Sequence, residues 1–183
     1  MTETEARDGV LLRRFPSPYK AMLAISNDID LTSIHRLRAL FRFINTREET
    51  PLGPGLGLDF ANSMWMYRSP NEMPRVGRRF AQEIAYWTDQ EGQTRTPYAD
   101  ELATYARAGW IDTLHTYGNF TCASLVGRKF TRAHAEHAVE EMQRQGLVFP
   151  VWTNHGDRDN RQNIGAAAYM QGDDPASDAY HAD

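Results

Sequence analysis

The stretch "AISNDIDLT", residues 24–32, places two acids, Asp28 and Asp30, at the end of an apolar run. The residues "AMLAI" in this region are continuously apolar, which is typical of a strand covered on both faces of a parallel sheet. In α/β folds, catalytic and ligand-binding residues usually lie just past the carboxyl ends of the strands. Asp and Asn are also common turn formers and helix caps, so this stretch alone leaves both interpretations open.

Composition limits the class of protein. The chain has 183 residues, of which 41% are hydrophobic and 24% charged, as expected of one soluble globular domain. A formal net charge of −4 gives no reason to expect a nucleic-acid partner. A single cysteine, Cys122, excludes an internal disulfide framework. We divide the chain into a polar N-terminal lead-in at residues 1–18 and a (β/α) domain at residues 19–183.

Targeting signals are not visible in the sequence. The N-terminal residues "MTETEARDGV" are acidic and lack the apolar core of a secretion signal. Apolar runs are all shorter than the ~20 residues that a membrane span needs. We therefore expect no membrane span and, by default, a cytoplasmic location.

Strand-like and helix-like stretches alternate along the chain. Helices are predicted from apolar residues at helical spacing with a cap or a glycine at the ends, and strands from short apolar or alternating runs. The predicted order is a strand at 19–26, a helix at 33–47, a half-exposed strand within 59–69, a helix at 97–109, a strand at 110–118, a helix at 131–145 and a strand at 147–154. Such alternation predicts an α/β fold with a mainly parallel sheet.

The length of the chain bears on the architecture. A complete (β/α)8 barrel needs roughly 200 to 250 residues or more. The segment "GDDPASDAYHAD" at the end of the sequence stands where another strand would be expected. We therefore expect a partial or distorted (β/α) barrel, truncated at its C-terminus.

Three predicted strands end in polar clusters. These clusters are "SNDID" at 26–30, "DTLHTYGN" at 112–119 and "TNHGDRDN" at 153–160. Because the carboxyl ends of parallel strands lie at one edge of a sheet, we expect the three clusters to converge. Any one of them alone would be interpreted as a turn.

The converging residues have the chemistry of a metal site. Asp30 and His115 are a carboxylate and an imidazole, which suit zinc and other divalent metals. Asn119 could add a carbonyl oxygen if a helical turn follows the strand that precedes it. Asp28 could act as a base on metal-bound water. His155 could protonate a leaving group.

The order of these motifs resembles the polysaccharide deacetylase (NodB-homology) superfamily, over about residues 20–160. That family has a distorted (β/α) barrel and removes acyl groups from amino sugars. It opens with a strand that ends in a paired-Asp motif, T-F-D-D-G, and the matching stretch here is "ISNDIDL", with Ile29 inserted between the acids. The resemblance implies that Asp28 is the catalytic base and Asp30 a metal ligand.

Two later motifs extend this resemblance. The family carries H-[ST]-x-x-H, which supplies two histidine ligands, and the stretch "HTYGN" keeps His115 and Thr116 but has Asn119 in place of the second histidine. The later family histidine that serves as acid corresponds to His155 in "NHGD". The resemblance implies a zinc-dependent enzyme with a carbohydrate substrate.

The leading hypothesis is therefore a metal-dependent hydrolase that removes acyl groups from amino sugars or polysaccharide. A second hypothesis is a glycosidase that pairs Asp28 or Asp30 with Asp112 or Asp157 as acid and nucleophile.

A third hypothesis is a catalytically inactive carbohydrate-binding barrel. Its sugar-stacking surfaces would come from four aromatic residues, Trp65, Trp110, Tyr117 and Trp152.

Overall fold

The computed structural model describes residues 18–21, 26–68, 83–120, 129–155 and 162. Residues 1–17 of the predicted lead-in, residues 22–25 of the predicted first strand, and Cys122 lie outside the described residues. The strands are β1 (Ser26–Asn27), β2 (Glu49–Thr50), β3 (Gly53–Pro54), β4 (Ala61–Met64), β5 (Ile111–Leu114) and β6 (Val151–Trp152). The helices are α1 (Ile34–Asn45), α2 (Ala99–Arg107) and α3 (Arg132–Gln145).

Four of the strands form one parallel sheet in the order β1-β4-β5-β6. Met64 of β4 pairs with Leu114 of β5, which in turn pairs with Trp152 of β6. A parallel sheet combined with helices is what the alternating sequence pattern predicts for the α/β class. Within the described ranges, β1 and β6 form the two edges of this sheet, so it is not closed into a barrel. Strands β2 and β3 form a separate antiparallel pair.

Strand β4 differs from its sequence prediction. The alternating pattern within 59–69 predicts a half-exposed strand, but Asn62, Ser63 and Met64 are all buried. The reason is that β4 is an inner strand of a parallel sheet, between β1 and β5, and such strands are typically covered on both faces. Neighbouring elements then cover side chains on both faces, which a period of two along one strand does not reveal.

The helix ends follow local rules that the sequence states clearly. Helix α1 begins after Ser33, whose hydroxyl accepts a hydrogen bond from the amide of Arg36 at 3.4 Å. Helix α3 begins after Thr131, whose amide donates to Nδ1 of His134 at 3.1 Å. It ends at Gly146, which has a φ of +64° and closes the helix in the left-handed conformation that glycine adopts without strain.

The core lies between the parallel sheet and the helices. Phe41 of α1 packs against Tyr105 of α2 at a ring-centroid distance of 4.9 Å, and against Trp110 at 5.5 Å. Arg38 also binds Glu101 of α2 through two hydrogen bonds, at 2.9 and 2.6 Å, so α1 and α2 are joined both in the core and at the surface. The largest fully buried side chains are aromatic ones: Trp65, Tyr67, Tyr86, Phe41 and Phe120. This packing fixes the strands whose ends carry the candidate site.

Candidate metal centre

The polar segments that follow β1, β5 and β6 converge at the carboxyl edge of the sheet. Asp30 follows β1, His115 directly follows β5, and His155 lies three residues beyond β6. One ligand atom from each of these three residues lies within 4.8 Å of the other two. The convergence predicted from the three strand ends is therefore present, and its members are a carboxylate and two imidazoles.

The spacing of the three ligand atoms fits a divalent ion. Oδ1 of Asp30 lies 3.5 Å from Nε2 of His115 and 3.4 Å from Nδ1 of His155. The two ring nitrogens lie 2.8 Å apart. A tetrahedral zinc ion with bonds of about 2.1 Å separates its ligand atoms by about 3.4 Å. Two edges of the triangle match this value and the third is shorter, so the donors fit the ion with a small movement of the imidazoles.

His115 is held in one orientation from several sides. Its ring stacks on the buried indole of Trp65, with centroids 5.8 Å apart and an interplanar angle of 17°. Trp65 also donates its indole N–H to the carbonyl oxygen of His115. On the other side of the ring, Nδ1 lies 2.7 Å from the hydroxyl of Thr153, just past β6. A partner on Nδ1 leaves Nε2 directed at the acids, as is usual for metal-binding histidines.

The acids face the site because the residue between them points away. Ile29 is fully buried in the core, whereas Asp28 and Asp30 are partly exposed. Oδ1 of Asp28 accepts the amide hydrogen of Asp30 at 2.8 Å, and its Oδ2 lies 3.5 Å from Nε2 of His115. The chain turns at this point, since the amide of Thr32 donates to the carbonyl oxygen of Ile29 at 2.9 Å. With Ile29 buried in the core, both carboxylates lie beside His115.

The electrostatics of the centre favour a charged carboxylate. Burial by itself would raise the pKa of Asp30, but the hydrogen-bonding contact with His115 and the charges of His155 and His115 outweigh it and lower the pKa. A carboxylate must be deprotonated in order to bind a metal ion. Asp30 is therefore in the form of a ligand at neutral pH.

A cleft of about 300 Å³ opens next to this centre. It is lined by Asn27, Asp28, Ser63, His115, Thr153 and Asn154. This volume is at the lower end of the range for small-molecule sites, about 300–1,000 Å³. A small polar ligand in the cleft would contact both Asp28 and His115.

Asn119 is placed differently from the geometry considered for it. No helical turn follows β5, because Thr116 has a φ of +56° and Gly118 pairs with Tyr67. Asn119 is nearly fully buried and lies near the carboxyl group of Glu83, whose pKa it lowers. Its role as a metal ligand stays a prediction, and the third residue that the structure brings to Asp30 and His115 is His155.

The structure describes only some of the residues that the glycosidase and sugar-binding hypotheses require. Asp112 accepts a hydrogen bond from the hydroxyl of Thr113 at 2.6 Å, and Asp157 lies outside the described residues. Trp65 has no exposed surface, so it offers no platform for a sugar ring. Trp110 and Trp152 are half-buried.

Two residues at the site escaped the sequence analysis. Thr153 belongs to the polar cluster at 153–160, but nothing in the sequence predicts that it contacts His115. Glu83 lies in a stretch without clear periodicity, and a buried carboxyl group has no sequence signature of its own.

No protein-family model, curated protein or solved structure matches the chain. In the part of the chain that the structure describes, none of the helices has the length and apolar character needed to cross a membrane.

Proposed function

We propose that this chain is a metal-dependent hydrolase that removes acyl groups from amino sugars or polysaccharide. The observation that carries the proposal is the triad of ligand atoms on Asp30, His115 and His155, all within 4.8 Å of one another, with a carboxylate oxygen of Asp28 beside it. The order of the strand-end motifs, which resembles that of the polysaccharide deacetylases, supports the choice of reaction. The parallel sheet is then part of a distorted (β/α) barrel.

The donor set supports zinc as the metal. Catalytic zinc sites have three protein ligands from among His, Asp, Glu and Cys, and keep an open position for water or substrate. Asp30, His115 and His155 would supply these ligands, which gives His155 a different role from the acid that the sequence suggested, and that role stays an untested prediction. When bound, the ion would supply Lewis acidity to the acyl carbonyl and to the attacking water.

Asp28 has the position of the general base. Its Oδ2 lies beside His115 and it lines the cleft, while its Oδ1 is anchored by the amide of Asp30. During hydrolysis the water oxygen bonds to the acyl carbon and the C–N bond breaks. Asp28 takes the proton from the water and passes it to the departing amine. The products are a free carboxylic acid and an amino sugar.

The first test is the metal content of the purified chain together with its Asp30→Ala and His115→Ala variants. Two exposed residues of the same types, Asp59 and His35, serve as alanine controls. We expect about one equivalent of zinc in the parent and in both controls, and less than about a tenth of that in the site variants, because each loses one of three ligands. A well-folded parent that binds no divalent metal would refute the proposal.

The second test is turnover of N-acetylated amino-sugar oligomers, measured as released acetate. We expect acetate release by the zinc-loaded parent and none after treatment with a chelator. Cleavage of glycosidic bonds that survives the chelator would support the glycosidase hypothesis. Sugar binding without any turnover would support the inactive binding barrel.

A further inference from the structure

A buried carboxyl group lies directly behind the candidate metal centre. Glu83 has no exposed surface. Its Oε1 accepts the amide hydrogen of Leu31, the residue after Asp30, at 3.1 Å. Its Oε2 is buried and has no hydrogen-bond partner among the described residues. The mechanism proposed above gives this side chain no part in the reaction.

Leu31 adopts a backbone conformation that needs support. Its φ is +57°, in the left-handed region, which is unfavourable for a residue with a Cβ. Glu83 and its neighbour Ile84 supply the support, because the amide of Ile84 also donates to the carbonyl oxygen of Thr32 at 2.9 Å. Within the turn, the amide of Thr32 donates to the carbonyl oxygen of Ile29 at 2.9 Å. The turn is therefore fixed by contacts at two consecutive residues, Leu31 and Thr32.

The same turn determines where the Asp30 carboxylate points. The amide of Asp30 is bonded to Asp28 on one side, and the amide of Leu31 is bonded to Glu83 on the other. If Glu83 is removed, the Leu31 amide loses its buried acceptor and the left-handed residue can relax. The carboxylate of Asp30 would then move away from the two imidazoles, which lie only 3.4–3.5 Å from it.

We propose that Glu83 is a positioning residue of the metal centre, which holds the Leu31 turn through Oε1 and so directs Asp30 at His115 and His155. The inference rests on the proposed function in one respect, namely that these three residues bind a metal ion.

The chemistry of Glu83 makes glutamine its closest substitute. Burial raises the pKa of Glu83 to about 8, and the charge of Asp30 also raises it, whereas the hydrogen bond from the Leu31 amide, the nearby Asn119 side chain and the positive charge of Arg68 lower it. At neutral pH the side chain is therefore largely uncharged. Glutamine keeps an uncharged group of the same shape and the oxygen that accepts from Leu31.

The test compares Glu83→Gln and Glu83→Leu by calorimetric titration of the metal-free protein with zinc. We expect the glutamine variant to bind zinc within about threefold of the parent. The leucine variant should bind about 10- to 100-fold more weakly, the range typical of changes next to metal ligands. Leu102→Ala opens a cavity under α2, a helix that carries none of the three ligands, and serves as a control that lowers stability but leaves zinc affinity unchanged.

Three results would overturn the inference. The first is a leucine variant that folds and binds zinc like the parent. The second is a glutamine variant as weak as the leucine variant, which would show that the charge is needed and not the acceptor. The third is a loss of zinc affinity in Leu102→Ala as large as in Glu83→Leu, which would show a general effect of stability.

A parent that binds no zinc would refute the proposed function instead. The position of the turn is then tested by amide hydrogen exchange at Leu31. Faster exchange in Glu83→Leu than in Glu83→Gln would support the role of Glu83 in fixing the turn, and equal exchange would overturn it.

Discussion

Replacing Glu83 by glutamine should change how the stability of the fold depends on pH. The pKa of this carboxyl group is about 8 in the folded chain, against an ordinary value of 4.5. Between these two values the unfolded chain releases a proton that the folded chain retains. The folded state therefore loses stability as the pH rises from about 4.5 to about 8, and keeps it fully below that range. Glutamine does not titrate, so the stability of the variant does not decrease with pH for this reason.

The size of the effect follows from the difference between the two pKa values. Each unit is worth about 1.4 kcal/mol, which gives an upper limit of about 5 kcal/mol for the whole range. Relaxation of the protein and water around a buried charge reduces the expected effect to about 2–4 kcal/mol. The sign is fixed: Glu83→Gln becomes more stable relative to the parent as the pH increases.

The assay is urea denaturation of both proteins between pH 5 and pH 9, with a chelator present so that no metal occupies the centre. The other ionisable groups are the same in both proteins, so their contributions largely cancel in the difference. We expect the difference in unfolding free energy to change by about 2–4 kcal/mol up to pH 8 and then to level off. A difference that stays constant within about 0.5 kcal/mol would show that Glu83 is ionised in the fold, and the reasoning from its burial would fail.

Three further predictions concern the site and its support. Thr153→Val removes the partner of Nδ1 of His115, so zinc affinity measured by titration should fall about 10- to 100-fold while the protein stays folded. Asp28→Asn keeps the oxygen that anchors Asp30 but not the base, so metal content should be unchanged and acetate release should fall at least about 100-fold; full activity would exclude Asp28 as the base. Gly118→Ala brings a Cβ within 2.7 Å of Cβ of Tyr67 and 2.8 Å of its carbonyl oxygen, so thermal unfolding should show a loss of about 1–3 kcal/mol. An unchanged melting temperature would contradict the close approach of the two segments that contain Gly118 and Tyr67.

Much of the site could be predicted because it depends on local patterns and on one topological rule. Ser33, Thr131 and Gly146 mark helix ends through their own chemistry. The continuous apolar run before Asp28 and the strand–helix alternation indicate parallel strands, and parallel strands bring their carboxyl ends to one edge. This rule predicts that the segments carrying Asp30, His115 and His155 lie at the same edge of the sheet.

The remainder depends on contacts between residues far apart in the sequence. The position of Asn119 depends on the left-handed backbone at Thr116, and a threonine in the sequence does not predict a positive φ. The side of the chain on which each acid lies depends on whether Ile29 finds room in the core. Glu83 acts on Leu31 from 52 positions away, and a pattern within one window cannot show such a pair.

The position of Trp65 gives the molecule an optical reporter of its own site. Its indole is fully buried, stacks on His115 and meets the edge of the His155 ring at a centroid distance of 5.3 Å. A paramagnetic ion such as Cu²⁺ or Co²⁺ held by those imidazoles would sit within contact range of this fluorophore and quench its emission, while Zn²⁺ would leave it bright. Occupancy of the centre could then be followed in real time, in a cuvette, before any substrate is known.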